Sequence, residues 1–330
     1  MDNKKSVLFI GPAFFGYEMS IKKAIEANGY HVDFFDERTS NHSVLKAVFR
    51  IKKSLLNTVI ARYYKNVLDQ IKNKKYDYFL LIKGEVVPAW FIIEFQKINP
   101  AAKLIYYTYD SINNNNKNSV YILKHFDACY SFDFEDVKKY PELKLKHLFY
   151  TDEFVSKGKQ AGKKYSISFV GTLHSNRYKI IKTLFGNFEN TYTFYFSPAK
   201  WFFYLDKKLK KDHKEIKWTD VSFDKLSKQQ VADIFKASAS VLDIQRFGQT
   251  GLTMRTFEVL AAGSILITTN AHVKDADFYD PDRIVLLSDM QSEQEILVIK
   301  QKIEANKPVS TANNIFDKYY VNNWVKEFFD

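Results

Sequence analysis

Short apolar runs recur along the first half of the chain, at Ser6–Ile10, His31–Asp36, Tyr78–Ile82, Lys103–Thr108, Ala128–Phe132 and His147–Tyr150. They show little alternation of apolar and polar positions, as expected of strands buried on both faces. Between them, helical spacing covers Tyr17–Asn28, Ser43–Lys72, Ala89–Ile98 and Asn118–His125, with Asn28-Gly29 and Asn99-Pro100 at helix ends. Strand and helix in alternation predict an α/β doubly wound, Rossmann-like domain over residues 1–150. The polar stretch Thr151–Lys164 has no apolar period and reads as a linker. The pattern then restarts: strands at Tyr165–Val170, Tyr192–Phe196, Ser240–Ile244, Ser264–Thr268 and Arg283–Leu287, helices at Ser175–Phe185, Leu226–Lys236, Leu252–Ala262 and Glu293–Glu304. Gly171-Thr172 reads as a turn. This predicts a second Rossmann-like domain over 165–312, then a helical segment over 313–330.

Two domains agree with 330 residues. Apolar content of 46% and charged content of 26% exclude a disordered chain. The single cysteine, Cys129, excludes a disulfide framework within the chain and a cysteine-based zinc ribbon, and favours a reducing compartment. The run Val7–Phe15 superficially resembles a leader, but Pro12 interrupts it and no small-x-small site follows, so a first strand is expected instead. No apolar run approaches the ~18–20 residues of a spanning helix, which predicts a cytoplasmic protein.

The net charge of +11 adds a question of partners. Its lysines are scattered, with short runs at Lys72–Lys75, Lys163–Lys164 and Lys207–Lys211, and no arginine stripe or RNA-binding aromatic motif accompanies them. Nucleic acid is therefore not expected as a partner. The excess leaves room for peripheral contact with an anionic membrane at its inner face.

Doubly wound sheets bind ligands outside the carboxyl ends of their strands, so the residues just after strand ends carry the candidate chemistry. If the two sheets face one another there, one central cleft results. Gly11 and Gly16 flank the turn after the first strand, which has neither a G-x-G-x-x-G nor a Walker pattern. Asp110 follows the fourth strand, where a carboxylate can serve an acceptor hydroxyl; a helix N-cap is the structural alternative. Asp133, Glu135 and Asp136 read as first-turn acids of a helix rather than metal ligands, and no metal site is expected. In the second half, Gly171 and Thr172 would offer backbone N–H groups to phosphate at a helix start, and Arg177, in the first turn of that helix, could reach the anion; a surface arginine is the alternative.

The most informative element is Gln249-Thr250-Gly251-Leu252-Thr253-Met254-Arg255-Thr256-Phe257-Glu258-Val259-Leu260-Ala261-Ala262-Gly263. Its glycine is expected to open a helix whose amides cradle phosphate. Arg255 and Glu258 stand at i and i+3, on one face. Arginine offers a bidentate fork to a diphosphate, and glutamate can accept from two vicinal ribose hydroxyls.

The block Gly251–Gly263 with Ile265–Asn270 resembles the donor-site signature of the GT-B glycosyltransferases, most closely their spore-maturation-type (CgeB-like) and group 1 polysaccharide-biosynthesis members. Tyr109–Ser111, Ser131-Phe132-Asp133 and Phe169–Thr172 resemble the same group. The resemblance implies a nucleoside-diphosphate sugar held by the second domain and a saccharide or lipid-linked acceptor on the first. It also implies a final helix returning to the first domain. Gly171, Thr172, Arg177, Gly251, Leu252, Arg255 and Glu258 would bind the donor, with Arg255 neutralising the leaving diphosphate and Asp110 the catalytic candidate on the acceptor side. Such folds work without a metal or resident cofactor, the nucleotide sugar being a co-substrate. Many retaining members carry two glutamates eight positions apart; here Glu258 is matched by Thr250, which leaves the stereochemistry open. The expected function is sugar transfer to a cell-envelope or polysaccharide acceptor. A nucleotide-sugar epimerase of the same architecture and a non-catalytic nucleotide- or sugar-binding protein of envelope assembly are the alternatives.

Overall fold

The computed structural model describes residues 4–38, 57–112, 117–156, 162–172, 177–209, 214–246, 248–288, 291–305 and 314–330. The chain divides into two compact units: Met1–Leu148 with Gly248–Gly251 and Lys318–Asp330, and Phe149–Phe247 with Leu252–Asp317.

The first unit is a parallel sheet of β1 (Ser6–Gly11), β2 (His31–Asp36), β3 (Tyr78–Ile82), β4 (Lys103–Thr108), β5 (Ala128–Ser131) and β6 (Leu143–Leu145), in the order β2-β1-β3-β4-β5-β6. Every residue of β3 is buried, which is why its sequence shows no alternation. Crossovers are made by α1 (Tyr17–Ala27), α2 (Asn57–Ile71), α3 (Ala89–Ile98), α4 (Lys117–Ile122) and α5 (Phe134–Lys139). Helix α2 buries Ile60, Tyr64, Val67 and Ile71, a stripe at helical spacing that packs into the core with Phe79, Phe91 and Phe95. The part of the expected helix Ser43–Lys72 before Asn57 lies outside the described residues.

The second unit holds β7 (Tyr165–Thr172), β8 (Tyr192–Phe196), β9 (Val221–Ser222), β10 (Ser238–Asp243), β11 (Ile265–Thr268) and β12 (Ile284–Leu286), also parallel, in the order β12-β11-β10-β7-β8-β9. Its helices are α6 (Arg177–Phe185), α7 (Lys200–Leu209), α8 (Lys228–Lys236), α9 (Met254–Ala261), α10 (Glu293–Ala305) and α11 (Asn314–Asp317). The capping box of Ser227 with Gln230 fixes the start of α8. A separate core of Ile167, Phe169, Leu184, Leu242 and Ile267 fills this unit.

Four expectations need correction. The sixth strand is Leu143–Leu145, not His147–Tyr150. Leu148, Phe149 and Tyr150 are buried outside any strand, Tyr150 alone making an isolated β-bridge. The final segment is not one helix: α11 is separated from α12 (Val321–Lys326), and only Lys318–Asp330 belongs to the first unit. There α12 lies against α1, Asn28 Nδ2 donating to the Asn322 carbonyl at 2.9 Å. Gly171-Thr172 is not a turn but the end of β7, in register with Tyr195 and Phe196. Gly251 does not open a helix, because α9 begins at Met254 behind Thr253.

Candidate active site

In the second sheet the chain leaves β7 in one direction and β10 in the other, so the topological switch point lies between these strands. Asp243 ends β10 with its side chain 2% exposed. Arg255 Nη1 donates to Asp243 Oδ1 at 2.9 Å, and Thr253 Oγ1 donates to Oδ2 at 2.8 Å. Arg255 Nη2 donates to the Val170 carbonyl, and its guanidinium lies 5.5 Å from the Phe169 ring centre. A side chain at Gly171 would meet Phe169 at 2.9 Å and Arg255 Nη2 at 3.3 Å. The glycine therefore makes room for the arginine rather than for a turn. Arg177, in the first turn of α6, is buried; it donates from Nη1 to the Thr172 carbonyl at 3.2 Å and from Nη2 to the Ile244 carbonyl at 2.6 Å. Its Nε is buried with no hydrogen-bond partner. Burial, then the neighbouring Arg255, lowers the Arg177 pKa to about 10. Arg246, exposed, adds positive potential to the same place. Three arginines thus stand against one carboxylate at the carboxyl edge of the sheet, which makes it a place for an anion.

The structure brings Arg177, Arg255, Gly171 and Thr172 together and moves others elsewhere. Glu258 is 5% exposed inside α9, and Arg255 is turned to Asp243. Leu252 is buried as a core residue. Gly251 belongs to the first unit. There its N–H and that of Thr250 donate to Asp133 Oδ2 at 3.2 and 2.9 Å, and Thr250 Oγ1 donates to Oδ1 at 2.6 Å. Asp133 is also the N-cap of α5, accepting from the N–H groups of Glu135 and Asp136, so it is a cap rather than the first-turn acid expected; Glu135 and Asp136 are the first-turn acids. Burial opposes its ionisation, but Ser111 and the donors of Thr250 and Gly251 outweigh that and hold its pKa below the ordinary carboxylate value. The amide expected to face phosphate here faces this carboxylate.

In the first sheet the switch point lies between β1 and β3. Gly11 ends β1, where an added side chain would meet Phe9 at 3.1 Å and Ile82 at 3.3 Å. Gly16 has φ +74° and starts α1. After β3, Lys83 and Gly84 both have positive φ, 76° and 66°. That is an uncommon conformation for a lysine. The Lys83 carbonyl accepts from the Tyr106 hydroxyl at 2.9 Å, which helps hold it. Lys83 Nζ pairs with Asp110 Oδ2 at 2.6 Å and with Glu85 Oε2 at 3.4 Å; Arg38 Nη2 reaches Glu85 at 3.2 Å. Asp110 is thus an ion-pair partner of Lys83, with its side chain 42% exposed; the helix start it was alternatively expected to cap runs into 113–116, outside the described residues. Glu37, following β2, is fully buried; Oε2 accepts from the Glu85 N–H at 3.1 Å while Oε1 has no hydrogen-bond partner. Burial pushes its pKa up to about 7 despite Lys83 and Arg38.

Glu37, Lys83, Asp243 and Arg246 were not singled out from sequence, although each lies at or within a few residues of a predicted strand end. Among the described residues no three His, Cys, Asp or Glu side chains converge as a metal-binding group.

A glycosyl transferase-like family model matches residues 191–323. No curated protein matches the chain. Among solved structures, AviGT4, a glycosyltransferase of avilamycin A biosynthesis, is 10% identical with a TM-score of 0.61 over 99% of this chain and 96% of its own. The fold is GT-B. The UDP-GlcNAc 2-epimerase of Neisseria meningitidis, bound to UDP-GlcNAc, is 10% identical over 98% of both chains with a TM-score of 0.54. Anabaena Alr3699/HepE, in complex with UDP, is 10% identical over 98% of this chain and 96% of its own with a TM-score of 0.52. The family match together with the GT-B fold supports a glycosyltransferase.

Proposed function

We propose that the protein transfers a sugar from a nucleoside-diphosphate sugar to a saccharide or lipid-linked acceptor of envelope or polysaccharide assembly. The observation that carries this reading is the arginine cluster at the β7–β10 switch point, where Arg177 and Arg255 are fixed on strand-end carbonyls and Arg246 stands exposed. As the bond from the anomeric carbon to the diphosphate oxygen breaks, negative charge grows on that diphosphate. Guanidinium groups held beforehand stabilise it more than they stabilise the bound donor. The acceptor hydroxyl must lose a proton, and Asp110, held by Lys83, is the carboxylate offered for that step on the first unit. Two matched structures hold UDP or UDP-GlcNAc, which makes a uridine diphosphate sugar the first donor to try.

The test is calorimetric titration of UDP into the wild type, Arg246→Ala and Arg255→Lys. Each change is expected to weaken binding by about 10–100-fold, the worth of a charge-assisted hydrogen bond. Unchanged affinity in both variants sinks the donor site. Incubation of a nucleotide sugar without acceptor separates transfer from the epimerase alternative. An epimeric nucleotide sugar as the product overturns transfer.

A further inference from the structure

Helix α7 carries a surface that the donor reading does not use. Its sequence, Lys-Trp-Phe-Phe-Tyr-Leu-Asp-Lys-Lys-Leu, places Trp201, Tyr204, Leu205 and Lys208 at i, i+3, i+4 and i+7, one stripe of the helix. All four are exposed; the fractions for Trp201, Tyr204 and Leu205 are 67%, 49% and 46%. Phe202, on the flank, is 41% exposed. The opposite face is the one that packs: Phe203 is 1% exposed against Trp218, and Lys207 Nζ donates to the Ile216 carbonyl at 2.6 Å. The apolar stripe is therefore not a core face left open by chance, because the helix already has a buried side.

Water is a poor surrounding for four large apolar side chains in five consecutive positions. The charge around them is predominantly positive: Lys200, Lys208, Lys214 and Lys217 are exposed at or beside the helix, against Asp206 on it and Glu215 and Asp220 after it, Glu215 being paired with Lys182. Lys208 Nζ lies 4.5 Å from the Tyr204 ring centre, so cation and aromatic face present together. Aromatic and leucine side chains on one stripe, flanked by lysines, are what an anionic lipid surface takes: rings at the headgroup level and ammonium groups on phosphate. At ten residues the helix is far too short to span, and no helix among the described residues is long and apolar enough to cross a membrane.

We propose that α7 is an interfacial anchor that docks the second unit on a bilayer rich in anionic lipid. The inference is independent of the donor reading, since lipid binding is measured without nucleotide or acceptor.

The test is co-sedimentation of the full chain with phosphatidylcholine vesicles and with vesicles containing phosphatidylglycerol. Wild type is expected to partition onto the anionic vesicles and to be released by high salt. Trp201→Ser with Leu205→Ser is expected to weaken partitioning by about tenfold or more. Lys208→Gln with Lys217→Gln should weaken it by a factor of about five for each charge lost. These side chains are exposed, so all variants should keep the wild-type melting temperature. Equal partitioning of wild type and the Trp201/Leu205 variant overturns the proposal. So does loss of binding in a Phe14→Ser, Phe15→Ser variant with the helix intact, because those exposed rings belong to the first unit. Absence of vesicle binding, with self-association abolished by Trp201→Ser, also overturns it by making the stripe a contact between copies.

Discussion

At the scale of single residues, Glu37 is the group whose burial has the clearest measurable consequence. Its carboxyl is fully buried, and its pKa is raised from 4.5 to about 7. A raised carboxyl pKa means that the folded state binds the proton more tightly than the unfolded chain. The resulting stability is fully present below pH 4.5 and is lost as pH rises through about 7. That difference corresponds to roughly 3 kcal/mol. Asp136, raised to about 6 chiefly by burial, acts in the same direction between its ordinary 3.8 and that value. Urea unfolding of the wild type should therefore give a falling stability from pH 5 to pH 8. Glu37→Gln keeps the shape and has no proton to lose, so its profile should be flatter by most of that amount. A parallel fall in both proteins would show that Glu37 does not titrate in this window. Glu37 was invisible in the sequence because Phe-Phe-Asp-Glu-Arg reads as a strand running into a polar turn. Only the chain folding over it, with Tyr64 donating to its carbonyl, makes it a core residue.

At the scale of elements, strands were the most legible because burial on both faces writes itself as unbroken apolar runs. Four observed strands, His31–Asp36, Tyr78–Ile82, Lys103–Thr108 and Tyr192–Phe196, have the bounds their runs predicted. The sheet edge was not legible. Leu143-Lys144-Leu145 buries only Leu143, so its pattern is too short and too polar to stand out. Helix α7 was missed because its aromatics are spread over both faces rather than confined to a buried stripe. In the glycine block, Gly251 was expected to open a helix, and its place is set instead by close packing. A side chain there would meet the Phe132 ring and carbonyl at 2.5 and 2.7 Å. Backbone cannot give way as a flexible side chain can, so Gly251→Ala must shift the tetrapeptide Gly248–Gly251 and strain the donors on Asp133. The expected cost is about 1–3 kcal/mol, read as a lowered urea midpoint. Thr250→Val tests the same contact without the clash, by removing the hydroxyl donor to Asp133. A Gly251→Ala protein as stable as wild type would mean that this contact yields freely.

At the scale of the molecule, each sheet has its own core, and the chain end completes the first one. Trp324 is 1% exposed, stands 5.1 Å from the Tyr107 ring and 4.8 Å from the Phe328 ring, and donates from Nε1 to the His147 carbonyl. Lys146, nearly buried, lies 5.1 Å from the Trp324 ring centre and pairs with Glu327. Burial lowers its pKa, and the pairing with Glu327 opposes that. A cavity of about 230 Å³ adjoins this cluster, lined by Tyr130, His147, Lys318 and Tyr319 among others. Truncating Trp324 to alanine would enlarge that space and leave the Lys146 ammonium short of its aromatic cover. The expected loss is about 3–5 kcal/mol, the range for a buried aromatic removed from a core. Because Lys318–Asp330 belongs to the first unit, the loss should fall there. Hydrogen exchange should show faster exchange at core amides of β3 and β4 in Trp324→Ala. Amides of Ile167, Phe169, Leu242 and Ile267, in the other core, should keep wild-type protection. Equal loss of protection in both sets would mean that the two units unfold as one cooperative body. Loss in neither would mean that the terminal segment adds nothing to the core it covers.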